Sequence, residues 1–320
     1  ESRFQADFHG TTREQKPVIE ATLAAQTLRL QDLGFYPPST ASETRPEATP
    51  QKKPPTRLFD DRPLSLATLD DFNLTLKILA DQVVGRETVF KKVGLDLMIK
   101  DGRLQIGPTT VEYLNGTTTI DAFVDANQSP PLMGLYMAVE DAQIEEILTS
   151  VDRPLVLGGQ LTFFADLHSA GRSRHEIAAN LQGETGFVIE NGRIQRKIER
   201  LASDALDFLF TGPAGQTYTD LDCTAFRMLF EDGTGTIQVF FVETPGMRTE
   251  AFGEINLGDE TVAVIINPRS KRRILGRSSP VRIHGALRDP SIVKVPAEEA
   301  AILAGQVLVP IVALPARALG

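Results

Sequence analysis

Residues 93–124 read VGLDLMIKDGRLQIGPTTVEYLNGTTTIDAFV and decide the fold class. Every second position of the first part is aliphatic, which is the period of a β-strand with one apolar face: Val93, Leu95, Leu97 and Ile99. Asp101-Gly102 and Asn115-Gly116 follow such runs, and both dipeptides are typical of two-residue hairpin turns. The stretch therefore predicts consecutive antiparallel strands.

The same two-residue period recurs along most of the chain. It predicts one apolar face, but period alone does not distinguish the lining of an open groove from a core covered by a second layer. The positions assigned to this face are Leu95, Leu97, Ile99, Leu104, Ile106, Tyr113, Val124, Met137, Phe163, Phe187, Phe226, Met228, Ile237, Val239, Phe241 and Val264.

Turns and helices complete the predicted order of elements. Asn191-Gly192 and Pro245-Gly246 are interpreted as further hairpin turns. Apolar residues three or four apart predict short helices near Gln143–Ser150, Ser173–Gln182 and Arg196–Phe210. The fold class is mainly β: an elongated, twisted antiparallel sheet curled into a groove, with a few short helices and an apolar C-terminal helix.

Composition divides the chain into four parts. Residues 1–35 alternate as three short strands, whereas residues 36–57 are rich in proline and predict a disordered linker or insert. Residues 58–296 form the main β region. Residues 297–320 predict an apolar helix that packs on the fold or lies on a membrane surface. The first residue is not Met, and we expect the chain to be a piece of a longer protein.

The charge balance and the reactive side chains exclude several classes of function. The formal net charge of −9 disfavours nucleic acid as a partner. The four histidines lack metal-ligand spacing, the single Cys223 lies near carboxylates that would raise its pKa, and no glycine loop has a phosphate-binding context. We therefore expect no catalytic residue, no metal and no cofactor.

One cluster of basic residues stands out in this acidic chain. Such a run is usually a solvated loop, but it is also a candidate for contact with anionic lipid headgroups: Arg269, Lys271, Arg272 and Arg273.

Several motifs resemble the C-terminal region of the bacterial AsmA family (AsmA/TamB/YhdP-like proteins). They are LFDDRPL at 58–64, DGRLQIGP at 101–108, GGQLT at 158–162, NGRI at 191–194 and VRIHGALRDP at 281–290. The resemblance implies a Gram-negative envelope protein, anchored in the inner membrane by an N-terminal transmembrane helix outside this sequence, with its body in the periplasm. It also implies that residues 58–296 form a long β-groove lined by apolar side chains and that residues 1–35 are a preceding β-strand repeat.

Our leading hypothesis is a noncatalytic lipid-binding segment that takes part in phospholipid transport between the inner and outer membranes and in outer-membrane biogenesis. Its expected partners are phospholipid acyl chains and, near the C-terminal helix, a membrane surface or an outer-membrane protein. The alternative is a structural scaffold of the cell envelope that docks partner proteins and carries no lipid.

Overall fold

The structure is a computed structural model. It describes residues 3–13, 16–29, 31–32, 57–85, 89–113, 115–150, 153–195, 217–271 and 279–296. The helix predicted at Arg196–Phe210, the C-terminal helix at 297–320 and almost all of the Pro-rich segment 36–57 lie outside the described residues.

Sixteen strands and two short helices make up the described part of the chain. A single 3-10 turn, Ala67–Asp70, precedes β3. The helices are α1 (Ile144–Ser150), between β7 and β8, and α2 (Arg174–Ala179), between β8 and β9. The strands are β1 (Arg3–Arg13), β2 (Lys16–Arg29), β3 (Asn73–Val84), β4 (Val89–Lys100), β5 (Arg103–Tyr113), β6 (Gly116–Asp125), β7 (Leu132–Gln143), β8 (Leu157–Ala170), β9 (Gln182–Gln195), β10 (Tyr218–Leu221), β11 (Cys223–Glu231), β12 (Thr234–Glu243), β13 (Met247–Asn256), β14 (Thr261–Ser270), β15 (Val281–Ala286) and β16 (Ser291–Lys294).

All strands belong to one sheet whose spatial order follows the sequence from β1 to β16. Strands β10 and β11 both pair with β9, β10 with its last residues and β11 with its first part. Every other strand pairs with the strands before and after it in the sequence. The first and last strands do not pair with each other, so the sheet is not closed into a barrel. The mainly β, curled and open sheet predicted from the sequence is confirmed.

The pairing of β2 with β3 is parallel, whereas the other neighbouring strands are antiparallel. A parallel pair needs a connection that returns to the starting end of the strands. Residues 57–72, which we call the rim segment, form the last part of that connection. The backbone N–H groups of Leu58 and Phe59 donate to the Glu260 carboxylate at 2.8 and 3.0 Å. The N–H of Leu64 donates to the carbonyl oxygen of Arg172 at 2.7 Å.

The N-terminal part differs from the expectation of three short strands. It forms two long strands, β1 and β2, that pair along their whole length. No turn dipeptide interrupts residues 16–29, so the alternation there continues as one strand instead of breaking into two. This pair shares the sheet with the rest of the described chain through β3.

The Asn191-Gly192 dipeptide is not a turn, and that prediction is wrong. Both residues lie inside β9, where the register against β8 shifts between Gly158 and Gln160. Asn191 adopts a φ of 49°, in the left-handed region, which asparagine tolerates better than most residues. This conformation forms a β-bulge here. The Asp101-Gly102 and Pro245-Gly246 turns do join consecutive strands, and Asn115 lies in the connection between β5 and β6, whose first residue is Gly116.

Two of the predicted helices are present, although each is shorter than expected. Helix α2 begins after Ser173, whose hydroxyl accepts a hydrogen bond from the Glu176 N–H at 3.1 Å. This is the N-cap arrangement expected of serine.

The two faces of the sheet differ in exposure. Directly paired residues share a face, which defines an inner face that contains Leu97 and Met137 and an outer face that contains Met98 and Tyr136. Leu97 and Met137 are half-buried, whereas Met98 and Tyr136 are 38% and 45% exposed. The lower exposure of the inner face fits an open sheet that curls around that face.

We expect Gly253→Ala in β13 to destabilise the fold. Gly253 has a φ of 134°, and a Cβ atom there would lie 2.1 Å from the carbonyl oxygen of Ala263. Backbone strain of this kind costs about 1–3 kcal/mol. The measurement is the free energy of unfolding in urea. The control is Gly94→Ala in β4, whose Cβ would meet only the Leu79 side chain at 3.7 Å. Equal stability of the two variants would contradict the predicted strain.

A candidate lipid-binding groove

The inner face carries a continuous row of aromatic side chains across four strands. Phe163, Phe187, Phe226 and Phe240 are direct cross-strand partners in β8, β9, β11 and β12. The rings of Phe187 and Phe226 are stacked with centroids 5.3 Å apart, and Phe226 meets Phe240 edge-on at 6.5 Å. Aromatic pairs at these distances stabilise neighbouring strands.

No phenylalanine whose burial the structure describes is buried. A large apolar ring in a dry core loses most of its exposure, whereas Phe163, Phe187 and Phe226 are only half-buried. The middle of the inner face therefore has apolar surface that no second protein layer covers in the described chain.

The register places all but two of the predicted apolar positions on the inner face. Val239 and Phe241 are the exceptions, because they pair with Arg227 and Ala225 on the outer face. The register of β11 against β12 shifts after Arg227, so Met228 pairs with Ile237 and Phe226 with Phe240. The extra residue forms a β-bulge in β12, so the alternation of inner and outer side chains along this strand shifts by one residue.

Phe240 is an inner-face residue that the alternation assigns to the outer face. The run Val239-Phe240-Phe241 offers an aromatic residue to either face, and only the bulge decides which one. These two adjacent phenylalanines are the signal in the sequence that alternation does not determine which ring lies on the inner face.

The inner face is most tightly packed at the two ends of the sheet. At one end the buried cluster contains Ala251, Val262, Val264, Ile266 and Val281, and at the other it contains Leu28, Ala80 and Val83. Between these clusters many apolar side chains are half-buried, as at Leu104, Ile106, Val124, Met137 and Phe163, whereas Ile99, Ala165, Ile189 and Met228 are buried. The candidate groove is this middle section.

The basic cluster is only partly within the described residues, since Arg272 and Arg273 lie outside them. Arg269 forms an ion pair with Glu250 at 3.5 Å. The Nζ atom of Lys271 lies 2.9 Å from Glu243 and 3.3 Å from Asp222. A lipid phosphate at either cation would have to compete with these carboxylates.

These contacts change the acid–base behaviour of the partners. The hydrogen bond from Lys271 lowers the pKa of Glu243, and the same bond raises the pKa of Lys271. The ionised Glu243 is therefore the form that the folded protein favours.

The described residues contain no cluster of His, Cys, Asp or Glu that could hold a metal ion. Cys223 begins β11 and is half-buried, and His168 is exposed on the outer face of β8. None of the described helices is long and apolar enough to cross a membrane.

Comparison with known proteins identifies the family of this chain. The model of the AsmA family matches residues 3–240. The chain belongs to the AsmA family. It is 19% identical over 300 residues to the AsmA family protein YhjG of Escherichia coli, an alignment that covers 89% of the chain and 44% of that protein.

A second relative in the same organism is Protein AsmA. It is 22% identical over 205 residues, which is 60% of the chain and 32% of the relative. The chain thus spans less than half the length of the curated relatives it matches. No solved structure matches it. AsmA family membership suggests a role associated with the cell envelope.

We expect Lys271→Gln to raise the pKa of Glu243 towards its ordinary value of 4.5. With Lys271 present, the stability that ionised Glu243 contributes is complete above pH 4.5 and is lost as the pH falls through the lowered pKa. A carbon-detected NMR titration of the Glu243 carboxyl checks the shift. Lys100→Gln, which removes an exposed cation at the end of β4, is the control. An unchanged Glu243 pKa in Lys271→Gln would contradict the assigned cause.

Proposed function

We propose that the inner face binds phospholipid acyl chains and that the chain takes part, without catalysis, in phospholipid transport between the inner and outer membranes and in outer-membrane biogenesis. The observation that carries the proposal is the half-buried apolar surface in the middle of the sheet, from β4 to β12. An apolar surface of this extent is uncommon on a soluble protein that has no ligand or partner for it.

Acyl chains suit this surface because it is long and continuous and because its polar positions, such as Thr109, Thr185 and Thr224, are uncharged. Each buried methylene group contributes about 0.8 kcal/mol, so a chain of ordinary length binds without a specific contact. One row of directly paired residues crosses β5 to β8 and consists of Ile106, Ala122, Leu135 and Leu167. A ligand held by such rows alone is free to move along them, which is what transport requires.

The headgroup would lie at the ends of the strands, where polar side chains and water are available. Arg269, on the outer face at the end of β14, and Lys271, just after β14, lie at the packed end of the sheet and not beside its middle section. Together with Arg272 and Arg273 they are candidates for contact with a headgroup that reaches this end, in exchange for the carboxylates they now contact. In this proposal the chain lies in the periplasm of a Gram-negative envelope and is anchored to the inner membrane by an N-terminal helix outside this sequence. Family membership and the open inner face support this assignment.

We expect Met137→Asp to abolish phospholipid binding while the sheet stays folded. Met137 is half-buried at the middle of the inner face, so a carboxylate there still reaches water in the empty groove but opposes an acyl chain. Bound phospholipid is measured by native mass spectrometry and by organic extraction of the purified chain. A loss of at least about tenfold is expected, which corresponds to about 1.4 kcal/mol.

Met98→Asp provides the matched control. It introduces the same charge in place of the same residue, but on the outer face of β4, where Met98 is 38% exposed. Lipid binding that survives in both variants would contradict the proposed site. Unfolding of Met137→Asp alone would place Met137 in a dry core, and a stable wild-type chain without lipid would favour the scaffold alternative.

A further inference from the structure

We propose that the outer face of β6, β7 and β8 binds a basic segment of a partner protein, and that an arginine of this segment lies on the ring of Tyr136 between Asp121 and Asp166. This surface is on the opposite side of the sheet from the lipid groove. The inference is therefore independent of the proposed function.

The three side chains form one row across the sheet. Asp121 pairs directly with Tyr136, and Tyr136 pairs directly with Asp166. The Cβ atoms of directly opposite residues lie about 5 Å apart, so those of the two aspartates are about 10 Å apart with Tyr136 between them. Tyr136 is 45% exposed, which leaves its ring accessible.

Neither carboxylate has an ion-pair partner among the residues that the structure describes. In the same sheet row, Glu184 on β9 is neutralised by an ion pair with Arg227. The negative charge of Asp121 and Asp166 is thus left for an external cation.

The neighbouring row shows that this surface accepts a guanidinium. The ring of Phe123 lies over Gly134, where a Cβ atom would be 2.4 Å from the ring. The guanidinium carbon of Arg103 lies 5.4 Å from the centroid of the same ring. An arginine on Tyr136 would repeat this cation–π contact one row further along β7, with two carboxylates added.

Apolar surface and further polar groups surround the row. A shallow depression of about 760 Å³ includes Tyr136, Leu132 and Asp232 among its lining residues. Leu132 is 42% exposed. A partner segment that alternates arginine with apolar residues matches both features, whereas nucleic acid and anionic lipid would be repelled by the carboxylates.

The test uses a fluorescein-labelled octapeptide of alternating arginine and leucine, titrated with the whole chain at 150 mM salt and followed by fluorescence anisotropy. We expect Asp121→Asn/Asp166→Asn to weaken binding about tenfold or more and Tyr136→Ala to weaken it about fivefold. Tyr136→Trp should retain binding and, because the chain has no tryptophan, should report it as a change in indole emission.

The matched control is Glu190→Gln/Glu254→Gln, which removes the same charge elsewhere on the outer face. Equal weakening in the control would show diffuse electrostatic attraction and overturn the proposal. So would equal binding of a glutamate–leucine octapeptide, or Tyr136-dependent binding of phosphatidylglycerol vesicles, which would identify a membrane as the occupant. Phospholipid that still copurifies with the Asp121→Asn/Asp166→Asn variant would show that this surface and the groove bind their ligands independently.

Discussion

The register of hydrogen bonds between neighbouring strands is the constraint on which the rest of the structure depends. A single-layer sheet has no opposing sheet to hold its side chains in place, so each strand is positioned by the strands beside it. A slip of one residue would move a strand's apolar side chains to the outer face. The direct pairing of Phe163, Phe187, Phe226 and Phe240 shows how side-chain contacts help to fix this register.

Local sequence predicts the features that depend on local chemistry. Alternation predicts most of the strands, and the dipeptides Asp101-Gly102 and Asn115-Gly116 predict their turns, because left-handed backbone at Asp101 and Asn115 suits those residue types. Ser173 likewise marks the start of α2. The inner-face positions from Leu95 to Phe226 follow from the same period.

Features that depend on distant residues could not be predicted in this way. The bulge in β12 is visible only when β11 is aligned against it, so alternation alone assigns Val239 and Phe241 to the wrong face. The dipeptide Asn-Gly suits both a hairpin turn and a β-bulge. Only the pairing of β9 with β8 shows that Asn191-Gly192 forms a bulge. The carboxylate partners of Lys271 also come from other strands, and a run of basic residues does not reveal them.

The rim segment explains how an open, single-layer sheet keeps its curvature. It contacts Glu260 beside β14, Arg172 beside β8 and, through an ion pair between Asp70 and Lys16, the start of β2. From Leu58 to Asp70 it advances at most about 3.3 Å per extended residue and about 2.0 Å per residue of the 3-10 turn, so it reaches roughly 35 Å. The ten strand spacings between β14 and β3, at about 4.8 Å each, add up to roughly 48 Å along the sheet, so the sheet must curl for the segment to reach both ends. A segment tied at both ends limits how far the strand ends along it can separate. The width of the candidate groove therefore depends on a connection that lies at its edge, while the apolar side chains inside it remain available to a ligand.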